Sequence, residues 1–299
     1  MQKPWISILI PAYEEPVGIK VILDHLEQSK IYDYECLIYD DSESEKVMEV
    51  VKSHCLFAER KIKYRKNTNN QGAVRNWNSL MNDCEGEYLL FMHHDECPLN
   101  LSFFRDLKKI LKHDPKLDLI ILRSALIKGS NMNYKFHMPN YMTQFILDKF
   151  PQYLFRRNFI GSPSNVVVRK LKSSQFNPEL SWLVDVDWFF RQLSDTDNWF
   201  LCKDLIILSN QNNQVSITQS MRSKIPEVTK RELHTLSKDY KDLGIFKLLI
   251  PNSLIGGVLS SLEQFLWLSF RSIKLIFDIF SANELPSSFT GYKNFGKKE

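Results

Sequence analysis

The sequence predicts an α/β protein, a mainly parallel sheet flanked by helices and followed by a C-terminal helical extension. Three observations carry this. Over residues 1–125, short β-rich runs alternate with segments of helical period. The residues that follow successive strand-like runs are polar and acidic, as at the ligand edge of an open sheet. Beyond residue 220 the alternation gives way to basic and apolar helical segments.

Taken in order, Trp5–Pro11 reads as a buried strand, Val17–Ser29 as a helix, Tyr34–Tyr39 as a strand and Glu45–Cys55 as a helix. Lys61–Arg65 follows as a strand, Gly72–Cys84 as a helix after a polar Asn-Thr-Asn-Asn turn, Tyr88–Met92 as a strand, Leu101–Lys112 as a helix and Leu117–Arg123 as a strand. From Ser124 to about Ile160 the period loosens, which predicts a long loop or cover over the sheet. Ser164–Arg169 reads as a further strand, Trp182–Leu193 as a helix or helix start, and Trp199–Leu208 as a short strand or hairpin. A polar linker then leads to two helical segments, Glu227–Tyr240 and Ser253–Phe280. The predicted division is a catalytic domain over 1–220 and a helical extension over 221–299.

Composition narrows the class. The net charge is +4, too small to suggest a nucleic-acid partner, and residues 221–299 hold all of the excess: 12 basic against 8 acidic side chains there, 27 against 27 before. Five cysteines make an odd set without a C-x-x-C pair, which fits a reducing cytoplasmic compartment. The first residues reach Glu14 before an apolar signal core develops, and the run from Leu248 to Leu262 is broken by Pro251 and two glycines, so neither a signal peptide nor a spanning helix is predicted.

The chain lacks the glycine fingerprint of dinucleotide sites, the phosphate loop of nucleotide triphosphatases and the G-x-S-x-G elbow of hydrolases. It has instead three acidic pairs beyond strand-like runs, Asp40/Asp41, Asp95/Glu96 and Asp185/Asp187. Carboxylates gathered at a ligand edge repel one another, and a divalent cation with a phosphate-bearing substrate relieves that cost.

The order of these motifs resembles the inverting glycosyltransferases of family 2, with the GT-A fold, over about residues 4–215. Ile6-Ser7-Ile8-Leu9-Ile10-Pro11-Ala12-Tyr13-Glu14 is similar to the family's opening strand and turn, which implies nucleotide contacts for Pro11, Ala12, Tyr13 and Glu14. Leu37-Ile38-Tyr39-Asp40-Asp41-Ser42 resembles the strand that ends beside the base, with Asp41 ahead of Asp40 as acceptor of a uracil N–H. Gln71-Gly72-Ala73-Val74-Arg75-Asn76 resembles a helix start that turns Arg75 toward the nucleotide.

Tyr88 to Glu96 occupies the place of the metal-binding motif, which implies Asp95 as the metal ligand and His94 beside the nucleotide. The imidazoles favour Mn2+ over Mg2+. Trp182-Leu183-Val184-Asp185-Val186-Asp187 resembles the segment of the catalytic base. It implies Asp185 in that role, Asp187 if the register slips by two along an extended segment, and Trp182 as a stacking surface for the acceptor.

The resemblance implies transfer of a sugar from a nucleotide-sugar, a UDP-sugar first, to a hydroxyl of a glycan or lipid-linked oligosaccharide, as in bacterial capsule or O-antigen assembly. The alternative is a nucleotide-sugar-binding or scaffold subunit without catalysis, motivated by the His93-His94 departure and by the absence of a late histidine in Gln211–Ser216. Segment 253–280 leaves three partners open: the catalytic domain, a second copy in a homodimer, or the inner face of the cell membrane.

Overall fold

The computed structural model describes residues 3–128, 131–134, 140–210 and 223–240. Segments 211–216 and 253–280, on which expectations were placed above, lie outside the described residues.

The first four strands are β1 (Ile6–Ala12), β2 (Tyr34–Asp40), β3 (Ile62–Lys66) and β4 (Tyr88–Phe91). They form a parallel array in the order β3-β2-β1-β4. β1 and β4 are buried at every position, and such near-continuous apolar runs are what a parallel sheet covered on both faces requires. Alternation of side chains assigns the two faces. Ile6, Ile8 and Ile10 join one core cluster with Val47, Val51 and Phe104, while Leu9, Leu37 and Phe91 join the other with Trp77, Phe176 and Trp188.

The helices between these strands are α1 (Pro16–Ser29), α2 (Lys46–Ser53), α3 (Cys55–Ala58) and α4 (Ala73–Asp83). Proline at the start of α1 uses a position whose N–H would be orphaned in any case. The helix expected over Glu45–Cys55 breaks at His54, whose backbone is extended and whose Nδ1 accepts from the Leu56 N–H to start α3. α4 begins at Gly72, whose φ of 79° suits glycine.

The second half of the sheet is mixed. β8 (Val166–Arg169) runs antiparallel between β4 and β6 (Leu119–Lys128), and β9 (Trp199–Asn210) pairs parallel with β6. A three-residue strand that periodicity is too short to reveal, β5 (Glu96–Pro98), pairs antiparallel with the outer edge of β9. The cover expected over 124–160 proves partly regular. β6 continues to Lys128 past a bulge near Arg123, turns back as β7 (Asn131–Tyr134), and is followed by α6 (Asn140–Lys149) and a 3-10 turn over Pro151–Phe155. The extra residues of this irregularity lie on β9, where Leu201 to Ile206 opposes only Ile121 to Arg123 of β6.

Three more helices complete the described fold: α5 (Phe103–His113), α7 (Val184–Ser194) and α8 (Ile225–Asp239). α8 lies in the stretch assigned to an extension, yet its Leu233 and Leu236 belong to the same core cluster as Trp188. Among the described residues, no helix is long and apolar enough to cross a membrane.

One close contact links the packing to the ligand edge. A Cβ on Gly18 of α1 would stand 1.7 Å from the His94 carbonyl oxygen, so the helix can approach the end of β4 only through a residue without a side chain. Gly18→Ala is therefore expected to cost about 1–3 kcal/mol in thermal or denaturant unfolding, the usual cost of overpacking. An unchanged midpoint would show that α1 relaxes freely away from His94.

Candidate active site

The carboxyl ends of β1, β2 and β4 meet the starts of α4 and α7 around a cleft of about 470 Å³. Pro11, Ala12, Tyr13, Asp41, His94, Asp95, Trp182 and Asp185 all line it, so most residues singled out from the sequence converge there. Asp40, Glu14 and Arg75 do not line it. Asp40 is fully buried, accepts from the Tyr64 hydroxyl at 2.7 Å and from the Ser42 N–H at 3.0 Å, and shapes the end of β2. Glu14, at φ 48°, accepts from the Glu43 and Ser44 amides and from the Ser44 hydroxyl. Those Ser44 bonds hold its carboxyl below the usual range and tie the β1 loop to the β2 loop. Arg75 is exposed on α4, while its neighbours Ala73, Val74 and Asn76 face the cleft.

Asp41 fixes the loop before α4. Its oxygens accept from the Gln71 N–H at 2.9 and 3.0 Å, the Gly72 N–H at 2.9 Å and the Asn67 amide at 3.0 Å. A carboxylate facing backbone N–H groups ahead of a helix is favourable both as a hydrogen-bond acceptor and as a charge near the positive helix end.

The turn between β4 and β5 holds the electrostatic centre. His93 stacks on Trp77 at 5.1 Å between ring centroids, with its Nδ1 3.4 Å from Glu96 Oε2. Glu96 Oε1 accepts from the Ser162 hydroxyl at 2.6 Å. Burial by itself would lower the His93 imidazole, but Glu96, with Asp95 and Asp185 adding to it, raises it above its ordinary value. For Glu96 burial pushes upward and His93 and the serines outweigh it, so the carboxyl stays below the usual range. Burial, and then the charge of Glu96, pushes Asp95 up to about 6. His94 has no compensating partner of that strength, and burial lowers it to about 4.

His93, Asp95 and Glu96 each bring one potential ligand atom within 4.8 Å of the others. Among the described residues, His93 Nε2 is buried and makes no hydrogen bond, and the buried Glu96 Oε2 has the His93 Nδ1 at 3.4 Å as its ion-pair contact. A buried imidazole nitrogen without a partner beside two carboxyls fits a divalent cation, and a nitrogen-oxygen set suits a first-row transition metal. The resemblance implies Asp95 alone as the metal ligand; His93 and Glu96 stand beside it because the turn closes on itself, which only the fold shows.

Asp185 and Asp187 lie in the first turn of α7, so the extended segment on which the two would share a face is replaced by a helix that points them about 200° apart. Asp187, 1% exposed, accepts from Arg191 at 2.8 and 3.0 Å and from the Tyr240 hydroxyl at 2.5 Å. Asp185 faces both the first cleft and an adjoining one of about 760 Å³. Burial is the main cause that pushes its carboxyl up to about 7; His93 opposes the shift and Glu96 adds to it. Trp182 borders both clefts, whereas Trp188 is a core residue that donates to the Ser174 carbonyl at 2.7 Å and stacks on Phe176.

With this geometry in view, comparison with known proteins is specific. The family model described as glycosyl transferase family 2 matches residues 7–170, more than half of the chain. An uncharacterized glycosyltransferase of Haemophilus influenzae is 26% identical over 195 residues, which are 64% of this chain and 62% of that protein. The chain thus spans about three fifths of the length of that relative. Among solved structures, S. aureus TarS 1-349 in complex with UDP-GlcNAc is similar with a TM-score of 0.58 and 16% identity, over 71% of this chain and 60% of that one. The mannosyltransferase PcManGT of Pyrobaculum calidifontis, in complex with GDP-Man and Mn2+, gives a TM-score of 0.56 and 12% identity, over 95% and 89%. At these identities the structural likeness establishes the fold.

The ligand set makes a direct test. Asp95→Asn and Glu96→Gln are each expected to weaken Mn2+ binding about tenfold or more, as read by the electron paramagnetic resonance of free Mn2+ during titration. Equal affinity in both variants and the parent would remove the β4–β5 turn as a metal centre.

Proposed function

The chain belongs to glycosyl transferase family 2, and we propose that it moves a hexose from a nucleotide-sugar to a hydroxyl of a glycan or lipid-linked acceptor, with inversion at the anomeric carbon. One observation carries this most: Asp185, a carboxyl whose pKa burial raises to about 7, lines both the cleft of Tyr13 and Asp41 and the adjoining cleft, as Asp95 does. A general base works best when its acidity lies near the working pH.

In the proposed arrangement the nucleoside lies beside Tyr13, Pro11 and Ala12. The Gln71 N–H is shared by both oxygens of Asp41, so one oxygen can turn to a base N–H without leaving that amide unpaired. A UDP-sugar is the first candidate; the UDP-GlcNAc complex of TarS supports it, and the GDP-Man complex of PcManGT makes the guanosine series the second. His93, Asp95 and Glu96 would hold a divalent cation, which when bound neutralises the charge gained by the departing diphosphate.

Asp185 accepts the proton of the acceptor hydroxyl as its oxygen bonds to the anomeric carbon. The bond from that carbon to the diphosphate oxygen breaks on the opposite face, and the diphosphate leaves with the electron pair. A single displacement inverts the centre. The acceptor occupies the second cleft, where Trp182 offers an aromatic face and Arg156, Asn158 and Thr229 offer polar groups. Its hydroxyl-bearing sugar belongs to a surface polysaccharide built at the inner face of the membrane.

Binding of UDP-GlcNAc, other UDP-hexoses and GDP-mannose, with and without Mn2+, tests the donor by thermal shift. Stabilisation by none of them would remove the nucleotide-sugar reading. Asp185→Asn is expected to reduce turnover by roughly 10²–10⁴-fold with donor affinity retained, the usual contribution of a general base. The base must be ionised to work, so parent turnover is expected to fall with decreasing pH as Asp185, whose pKa burial raises to about 7 before any cation binds, takes up a proton. Turnover that stays level from pH 8 to pH 5 would contradict Asp185 as the base.

A further inference from the structure

α8 lies outside the stretch that the family model matches, and it supplies a buried carboxylate to the segment that carries Asp185. Glu232 is 2% exposed. Its Oε1 accepts from the Ser181 N–H at 2.8 Å and the Ser181 hydroxyl at 2.7 Å, and its Oε2 from the Trp182 N–H at 3.1 Å and the Leu183 N–H at 2.9 Å. Three successive backbone donors at the entrance to α7 thus converge on one side chain.

The local sequence provides no substitute. The residue at the N-cap of α7 is Leu183, which makes no side-chain cap. The first N–H groups of a helix have no partner within it and need one from elsewhere. Here Glu232, about fifty positions away, accepts from the N-cap N–H of Leu183 and from the two N–H groups before it, and its carboxylate stands at the positive end of the helix. A second tie lies nearby, where the Tyr240 hydroxyl donates to Asp187 and its ring packs on Phe155 and Phe190. α8 also borders the second cleft through Ile225 and Thr229.

We propose that Glu232 is a positioning residue that fixes the 181–185 segment, and with it the Asp185 carboxylate, from the C-terminal part of the chain. The role rests on Asp185 being the base, whereas the bonds to 181–183 stand without it. The consequence is a site in two parts: the donor side comes from the family-matched sheet, and the placement of the base depends on α8.

The test uses the full chain. Glu232→Gln keeps shape but replaces one acceptor oxygen with an amide that cannot accept from the Trp182 and Leu183 N–H groups. Amides 181–183 are expected to lose hydrogen-exchange protection. kcat for Mn2+-dependent nucleotide release from UDP-GlcNAc or GDP-mannose, whichever binds, is expected to fall about tenfold to a hundredfold, with KM for that donor within about twofold. In an Asp185→Asn background the same substitution is expected to add no further loss, because the two act as one unit.

Unchanged protection at 181–183, an unchanged kcat, or a full additive loss in the double variant would each overturn the proposal. Full turnover in Asp185→Asn alone would instead overturn the base assignment, with the exchange data still judging the brace. Should Glu232→Gln fail to fold, Ser181→Ala, which removes only the hydroxyl bond, carries the same comparison, with a smaller loss of kcat at constant donor KM expected and a change confined to KM overturning the proposal.

Discussion

Four ionisable groups, His93, Asp95, Glu96 and Asp185, share one poorly hydrated space beyond the end of β4, and their mutual electrostatics sets the character of the site. Burial works against every charge in the group. Three carboxyls and one imidazole cannot all be ionised there without added positive charge. The result is uneven: Glu96 keeps its charge through His93 and the two serines, and Asp95 and Asp185 are pushed toward neutrality. A cation entering beside Asp95 adds the positive charge that this set lacks. The same imbalance that is costly to the empty fold leaves Asp185 with a pKa near neutrality and, under the proposed function, would favour a divalent cation beside Asp95.

A second set of carboxylates makes that arrangement affordable in conformational terms. Asp41, Glu14 and Glu232 are each spent on backbone N–H groups at a loop or a helix start. Asp40 and Asp187 are likewise committed, to Tyr64 and Ser42 in one case and to Arg191 and Tyr240 in the other. Acidic residues at this edge therefore divide by partner. Glu14, Asp40, Asp187 and Glu232 hold loops and helix starts away from the cleft, Asp41 and Glu96 line it while accepting from amides or a hydroxyl, and Asp95 and Asp185 line it as the carboxyls that burial pushes up.

That division explains which parts of the site could be read from the sequence. The rule that ligands bind beyond the ends of parallel strands located Tyr13, Asp41 and Asp95, because each lies within a few residues of a strongly apolar run. Asp185 against Asp187 could not be settled by spacing: the assignment depends on whether the segment is helical and on Tyr240, which arrives from far along the chain. Arg75 looked suitable from its place at a helix start, yet the rotation of α4 turns Asn76 and Ala73 inward. Glu232 carried no local signal at all, since an acidic residue in a basic amphipathic helix ordinarily reads as solvated surface. Likewise the parallel half of the fold was legible through its alternation. The mixed half was not, because β5 is three residues long and an irregularity between Leu201 and Ile206 interrupts the period of β9.

The topology also explains why the two halves of the site differ in kind. The Asp41 side is formed at the ends of adjacent parallel strands, where hydrogen-bonded register fixes Ala12 against Asp40 and Leu9 against Phe91. Little further support is needed there, because the sheet itself is the scaffold. The Asp185 side has no strand beneath it: Asp185 stands on the first turn of a helix whose start follows an irregular stretch after residue 172. A helix start is defined only as well as its unpaired N–H groups are satisfied. Core packing of Val184, Val186, Trp188 and Phe189 holds α7 from its first turn onward, and Glu232 adds hydrogen bonds to the N–H groups that lead into that turn. The adjoining cleft is bounded by the same element through Ile225 and Thr229, so the placement of Asp185 and the shape of that cleft are set together.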